Sequence, residues 1–535
     1  MFDSFGTFAL HLARHPLLLT IAAFALLRAA WTARDGGMDG AGLTSAAARC
    51  TIVAGVLGLV AYVAVVIFYM QGQQYFDAAE PTMTAVGWLF QAGLPVYHAV
   101  DSPERYAHIY GPMVFIAHGA ALALFGPTIE TSKWVGGSLS LAALALTFSA
   151  TRPKTGTARA LVLTGICALL LLGFRNYSFW TRAEPLQVFC VSAALAAATL
   201  ARRYTAAVLM GLGAGVLLNL KITGPLYALP LFVLLALRSG RRFTLIAVAV
   251  ALLTATVPFV LFPNVSLQGY LTWLKLSAQT GLLLSTLRQN IEWAAFFGVP
   301  LLLAYFSVHR SSRESDREWS SVALALGVAV CGVVIAGSKP GAGPYHLLPF
   351  LPIACYLVAA RIGRGAPNSS PAGAAHAVIG FVLVAVFIAV TQQVQFVTTM
   401  TGRRSLDVAR DIEQFASATS GVIEMGYGAS DPVTFARPLL VFRNNSYFLD
   451  QPAVGEHQLA GLPIPAATIE ALRQCRVDYW LIPSEEMPFS AVNMYSAVYL
   501  KPLFSAEFRR VFFEAHVRTG STEYFDVWRC RKSHD

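Results

Sequence analysis

Apolar stretches close to the length of a bilayer crossing recur along the first four hundred residues, and no other feature constrains the fold as strongly. They lie at 51–70, 132–150, 158–174, 185–201, 243–262, 291–307, 321–337 and 375–396, with shorter ones at 205–220, 225–237 and 346–360. Crossing a bilayer takes roughly 20 apolar residues, so the chain reads as an α-helical polytopic membrane protein with about 11–13 transmembrane helices. The segment Phe8–Trp31 holds Arg14 and His15 and lacks a small-residue cleavage site, which favours an uncleaved first span over a removable signal peptide. Only 13% of residues are charged, against about 25% in soluble domains.

A net charge of +10 could suggest nucleic acid, but the basic residues are scattered singly and in pairs between spans rather than massed in a stripe. Membrane orientation accounts for them. One set of alternating loops holds Arg152, Lys154, Arg159, Arg202, Arg203, Arg238, Arg241, Arg242, Arg310, Arg313, Arg317, Arg361 and Arg364, and is cytoplasmic by the positive-inside rule. The alternation holds if Gly111–Gly126, at sixteen residues, is re-entrant or interfacial and does not cross. Asp77, Glu80 and everything after residue 400 then lie on the outer face.

Composition changes near Thr398, which divides the chain into a transmembrane domain over 1–400 and an outer-face α/β domain over 401–535. Strand-like runs at 421–425, 439–442 and 477–482 alternate there with helical stretches at 405–419 and 466–474. Cys475 and Cys530 fall in this tail, where the compartment permits a disulfide; two free buried thiols are the alternative. The one linker-like stretch is Gly363–Gly373, and there is no P-loop, dinucleotide fingerprint or metal-binding Cys/His cluster.

The first outer loop runs Gln73-Gln74-Tyr75-Phe76-Asp77-Ala78-Ala79-Glu80-Pro81. Two carboxylates beside a span are costly unless they bind something or do chemistry. Pro81 suits a first helical turn, Glu80 suits a helix N-terminus, and Met83, Val86, Leu89 and Phe90 repeat at helical spacing, which predicts a helix lying flat at the interface. Glu80 as a plain cap and Asp77 as a solvated loop residue are the bland alternatives. Arg105 has Glu104 or Asp101 as a local partner.

Three further outer segments carry cations beside aromatic, Gly or Pro residues: Arg182 with Glu184, Lys221, and Lys339 before Tyr345 and His346. An Arg182–Glu184 ion pair and snorkelling lysines would explain each alone. Together they suit a phosphate leaving group while a carboxylate takes the proton of an attacking hydroxyl.

A carboxylate after the first span, Gly93-Leu94-Pro95-Val96-Tyr97, Leu124-Phe125-Gly126, Arg182-Ala183-Glu184-Pro185 and Tyr345-His346-Leu347-Leu348-Pro349 together resemble GT-C glycosyltransferases. The pattern is similar to the aminoarabinose and protein O-mannosyl transferases and their rhizobial sugar-transferring relatives. The resemblance implies inverting transfer from a polyprenyl-phosphate sugar to a hydroxyl of a glycolipid, glycan or protein at the outer face of a bacterial inner membrane. No resident cofactor is expected, the lipid-linked sugar being substrate, and a divalent metal stays open as the alternative; the resemblance places the base in the first outer loop, at Asp77 or Glu80. Family members often carry adjacent Asp-Glu there, whereas Ala78 and Ala79 intervene here. The aminoarabinose enzymes have a lysine before the re-entrant stretch; Tyr110-Gly111-Pro112 has none, which leaves Arg182, Lys221, Lys339 or His346 for the phosphate. A transporter or flippase would show paired broken helices in internal repeats, which are not seen, and a non-catalytic assembly scaffold would leave the cations idle.

Overall fold

The structure is a computed structural model describing residues 2–32, 40–307, 313–363, 372–403, 407–429, 432–493, 495 and 501–531. The linker-like stretch Gly363–Gly373 falls almost entirely outside the described residues, as do Arg310 and Arg364.

Every apolar window of the sequence lies on a helix, because backbone polar groups in hydrocarbon must be satisfied within their own segment. Among the described residues, six helices are long and apolar enough to cross a membrane: Leu43–Met70, Ile129–Thr155, Arg241–Leu261, Asp316–Ala336, Pro344–Ile362 and the run beginning at Ala374. The N-terminal segment is a bent pair, Gly6–Leu12 and Pro16–Ala30, turned by 92°; Pro16, which has no N–H to give, opens the second helix. Thr157–Leu172, Ala183–Ala198, Arg203–Leu218 and Gly224–Ser239 have 16 residues each, a rise of about 24 Å. Pro112–Phe125, within the stretch read as re-entrant, is shorter at 14 residues.

The chain forms two compact units. The first comprises Met1–Tyr69, Gly136–Thr256 and Leu282–Thr398, and the second Met70–Val135, Val257–Gly281 and Thr399–Asp535.

In the first unit, the irregular segment after Thr157–Leu172 is fixed from both sides. Tyr62 OH donates to Ser178 Oγ at 3.1 Å, and Thr181 N donates to Tyr69 OH at 3.1 Å. Gln393 Nε2 donates to the carbonyls of Leu172 and Arg175 at 2.7 and 2.9 Å. Two glycines permit this packing: a Cβ on Gly136 would lie 2.1 Å from Trp180 O, and one on Gly224 2.0 Å from Leu217 O.

The second unit holds a four-stranded sheet of order β1-β2-β4-β3: β1 Ile423–Met425, β2 Tyr479–Pro483, β3 His516–Ser521 and β4 Phe525–Cys530. β1 runs parallel to β2, and the other pairings are antiparallel. The run at 439–442, expected as a strand, is the helix Pro438–Phe442, because Pro438 at its first position sets φ for a helical turn and removes a ladder donor. The tail's aromatic residues fill its own core: Trp480, Phe489, Phe504, Phe508 and Phe512 belong to one buried cluster.

Cys475 and Cys530 form a disulfide across 55 residues of sequence, with their Cα atoms 5.9 Å apart. The bond ties the turn after the helix Ala466–Arg473 to the end of β4. Restricting the unfolded chain in this way stabilises a fold by about 2–4 kcal/mol. Cys475→Ser is therefore expected to lower the unfolding temperature of the purified protein, and reductant should lower wild type but not the variant.

Candidate functional site

The helix expected after the first loop spans Ala79–Gln91. It shows no single apolar stripe, as a helix lying flat on a surface would; Glu80, Thr82 and Thr84 are buried along with its apolar residues. The carboxylates flank its first turn in different states. Glu80 is fully buried, and its Oε2 accepts the N–H groups of Phe76 and Asp77, both at 2.9 Å. Asp77 is half-buried, and its Oδ1 accepts Ala79 N at 2.9 Å. Glu80 thus shapes the turn, and Asp77 is the more accessible of the two.

Behind this turn lies a polar centre with no counterpart among the residues singled out from sequence. Asp450 Oδ1 accepts from Thr82 Oγ1 at 2.8 Å, Arg437 Nη2 at 2.8 Å and Tyr447 OH at 2.5 Å. Its Oδ2 meets His108 Nε2 at 3.0 Å and accepts Ala453 N at 2.9 Å, and His108 Nδ1 meets Glu456 Oε2 at 3.0 Å. Burial alone would draw the His108 imidazole below its ordinary value, but Glu456 and Asp450 outweigh it and raise the pKa to about 9. Burial likewise opposes ionisation of Asp450, yet Arg437 and His108 hold its carboxyl well below the usual range. Two positive groups and two carboxylates balance, the condition for keeping charges buried.

Arg105 is enclosed, with Nη2 donating to Val100 O at 2.7 Å and to Ser102 O. Of the two partners expected for it, Glu104 and Asp101, Glu104 pairs instead with Arg476 at 2.5 Å. Burial pulls the Arg105 pKa down to about 10 against the attraction of Glu104 and Asp101. Arg105 lines a cavity of about 330 Å³ with His457, Gln458 and Arg509.

In the first unit the structure gathers five of the residues singled out from sequence. Glu184 contacts Lys221 Nζ, lies 4.0 Å from Arg182 Nε and accepts Trp180 Nε1 at 2.9 Å. Arg182 lies over the Trp180 ring at 4.1 Å, and Lys221 over the Tyr345 ring at 5.6 Å. Tyr345 stacks on His346 at 4.6 Å, whose carbonyl accepts Tyr227 OH at 2.8 Å. The cluster joins two cations to one carboxylate on an aromatic floor, which leaves it a net positive charge. Lys339 is half-exposed and within electrostatic reach of His346.

Sequence reasoning passed over Lys133, Arg403, Arg437, Asp450 and His108. Lys133 left a signal, as a lysine inside an apolar window. Arg437 and Asp450 left none, since a buried ion pair in a mixed α/β sequence looks like any surface pair. Among the described residues no group of three or more His, Cys, Asp or Glu is arranged to hold a metal ion.

The His108 pKa is raised above the 6.5 of a free imidazole, so the stability it contributes is complete below pH 6.5 and is lost as pH rises through about 9. Wild-type thermal stability should fall over that window. His108→Gln should be less stable at pH 6 and show a flatter profile, measured by scanning calorimetry in detergent.

No family model matches the chain, and no curated protein matches it. Among solved structures, ArnT from Cupriavidus metallidurans bound to undecaprenyl phosphate is similar over 88% of this chain and 97% of that one, at 13% identity and a TM-score of 0.52. ArnT from the same organism in the apo state covers the same shares at 13% identity and a TM-score of 0.47. The archaeal oligosaccharyltransferase AglB from Archaeoglobus fulgidus, in complex with an inhibitory peptide and a dolichol-phosphate, covers 80% of this chain and 69% of its own, at 11% identity and a TM-score of 0.40. The first of these likenesses extends over almost the full length of both chains, and this chain shares the fold of that structure.

Proposed function

We propose that the protein is an inverting membrane glycosyltransferase that moves a sugar from a polyprenyl-phosphate donor to an acceptor hydroxyl. The observation that carries this reading is the fold shared with ArnT, whose structure holds undecaprenyl phosphate. Asp77 is the general base, being the more accessible of the two loop carboxylates. Glu80 shapes the turn that presents it. The acceptor oxygen attacks the anomeric carbon, its proton passes to Asp77, and the bond from that carbon to the phosphate oxygen breaks. Arg182 and Lys221, oriented by Glu184 and helped by Lys339, Tyr345 and His346, stabilise the departing phosphate.

The acceptor is an envelope glycolipid, a glycan or a protein, and the membrane is the bacterial inner membrane with the tail in the periplasm. The Cys475–Cys530 disulfide supports that side, since such bonds persist in oxidising compartments. A reporter fused after Asp535 should be active only outside the cytoplasm.

Asp77→Asn should lower transfer by about a hundredfold or more while binding of undecaprenyl phosphate persists. Arg182→Gln should weaken that binding. Envelope glycolipid mass spectrometry of a complemented deletion strain reads the first, and titration of the purified protein reads the second. Full turnover in Asp77→Asn would remove Asp77 as the base, and full turnover in Glu80→Gln as well would remove the catalytic role of this loop.

A further inference from the structure

The segment Gly72–Ala78 has no helix or strand of its own, so its conformation must come from hydrogen bonds supplied by other parts of the chain. Most of those donors are cations. Lys133 Nζ donates to Gly72 O at 2.7 Å and to Gln74 O. Arg403 Nη1 donates to Tyr75 O at 2.6 Å and to Phe76 O at 2.8 Å. Arg437 Nη2 donates to Ala78 O at 2.7 Å. The carbonyl of Asp77 accepts Glu80 N at 3.4 Å. Every carbonyl from Gln74 to Ala78 is therefore bound, three of the five by arginines from beyond residue 400.

We infer that Lys133, Arg403 and Arg437 are positioning residues that clamp this loop and so set where the Asp77 carboxylate stands. Charge-assisted donors are roughly twice as strong as neutral ones, and each cation is itself held. Arg437 is locked by Asp450 and Tyr447. Arg403 lies over the rings of Phe76 at 5.7 Å and Phe435 at 5.1 Å. Lys133 is fully buried with its ammonium 5.5 Å from the Tyr75 ring centroid. A lysine taken wholly out of water needs strong partners, and here those partners are loop carbonyls. The C-terminal segment thereby governs turnover through the shape of the loop rather than through contact with the reacting atoms.

The inference rests on Asp77 being the base, and the test separates the two claims. Arg403, half-buried, is the variant of choice, because Arg437→Gln would strand Asp450 and could unfold the unit. With full-length protein in nanodiscs, Arg403→Gln should speed amide hydrogen exchange across residues 71–79 by about tenfold or more. It should lower glycolipid product in a complemented deletion strain by about a hundredfold and leave undecaprenyl phosphate binding at the wild-type level. Arg403→Lys should restore part of both effects. Wild-type exchange in Arg403→Gln overturns the clamp. Faster exchange with unchanged product overturns its positioning role, and a loss of lipid binding in step with product shows Arg403 acting on the donor instead. If Asp77→Asn keeps full turnover, the assignment of the base fails while the exchange measurement still decides the clamp.

Discussion

The second unit is organised around one buried carboxylate. Asp450 accepts hydrogen bonds from residues of two distant stretches, Thr82 and His108 in the first and Arg437, Tyr447 and Ala453 in the other. Removing one partner of such a buried pair costs about 3–5 kcal/mol, because the other charge is left uncompensated. Direction accounts for this better than raw stability. An apolar core of the same volume could hold these segments together, but it would not fix the rotation of the Ala79–Gln91 helix or the carbonyl of Ala78, whereas hydrogen bonds with defined donors and acceptors do both.

The charged cluster of the first unit obeys a similar rule with a different result. Glu184 is enclosed and takes Lys221 and Arg182 as partners. The two cations outnumber it, and the rings of Trp180 and Tyr345 absorb part of the excess through their negative faces. An over-compensated carboxylate orients its cations and still leaves net attraction for an anion, whereas the balanced centre around Asp450 has none to spare. The first arrangement suits binding and the second suits support.

Much of the molecule was legible from periodicity. The apolar windows became helices because the same residues that favour hydrocarbon require internally satisfied backbones. The helix after Asp77 was readable from Pro81 and the spacing of Met83, Val86, Leu89 and Phe90. The run at 439–442 misled because four apolar residues carry no period, and Pro438 just before them decides for a helix. The hairpin of β3 and β4 was missed because β3 carries mostly exposed residues and its apolar alternation is weak. The shortness of several apolar helices was also invisible, since hydropathy does not say where a turn will interrupt a window.

By itself the sequence determined the polytopic helical class, the mixed domain at the end of the chain, and the pool of charged residues too costly to keep near a membrane without partners. Hydrophobicity and periodicity are local properties, and local reading recovers them. Which charges meet was decided only by the tertiary structure. Asp450 and Thr82 lie 368 positions apart, and Lys221 and Glu184 37 apart, and no pattern in the chain couples such positions. The two loop carboxylates, alike in sequence, became different groups once folded: Glu80 turned inward to satisfy the N–H groups of Phe76 and Asp77, and Asp77 stayed half-buried at the start of the helix, accepting Ala79 N.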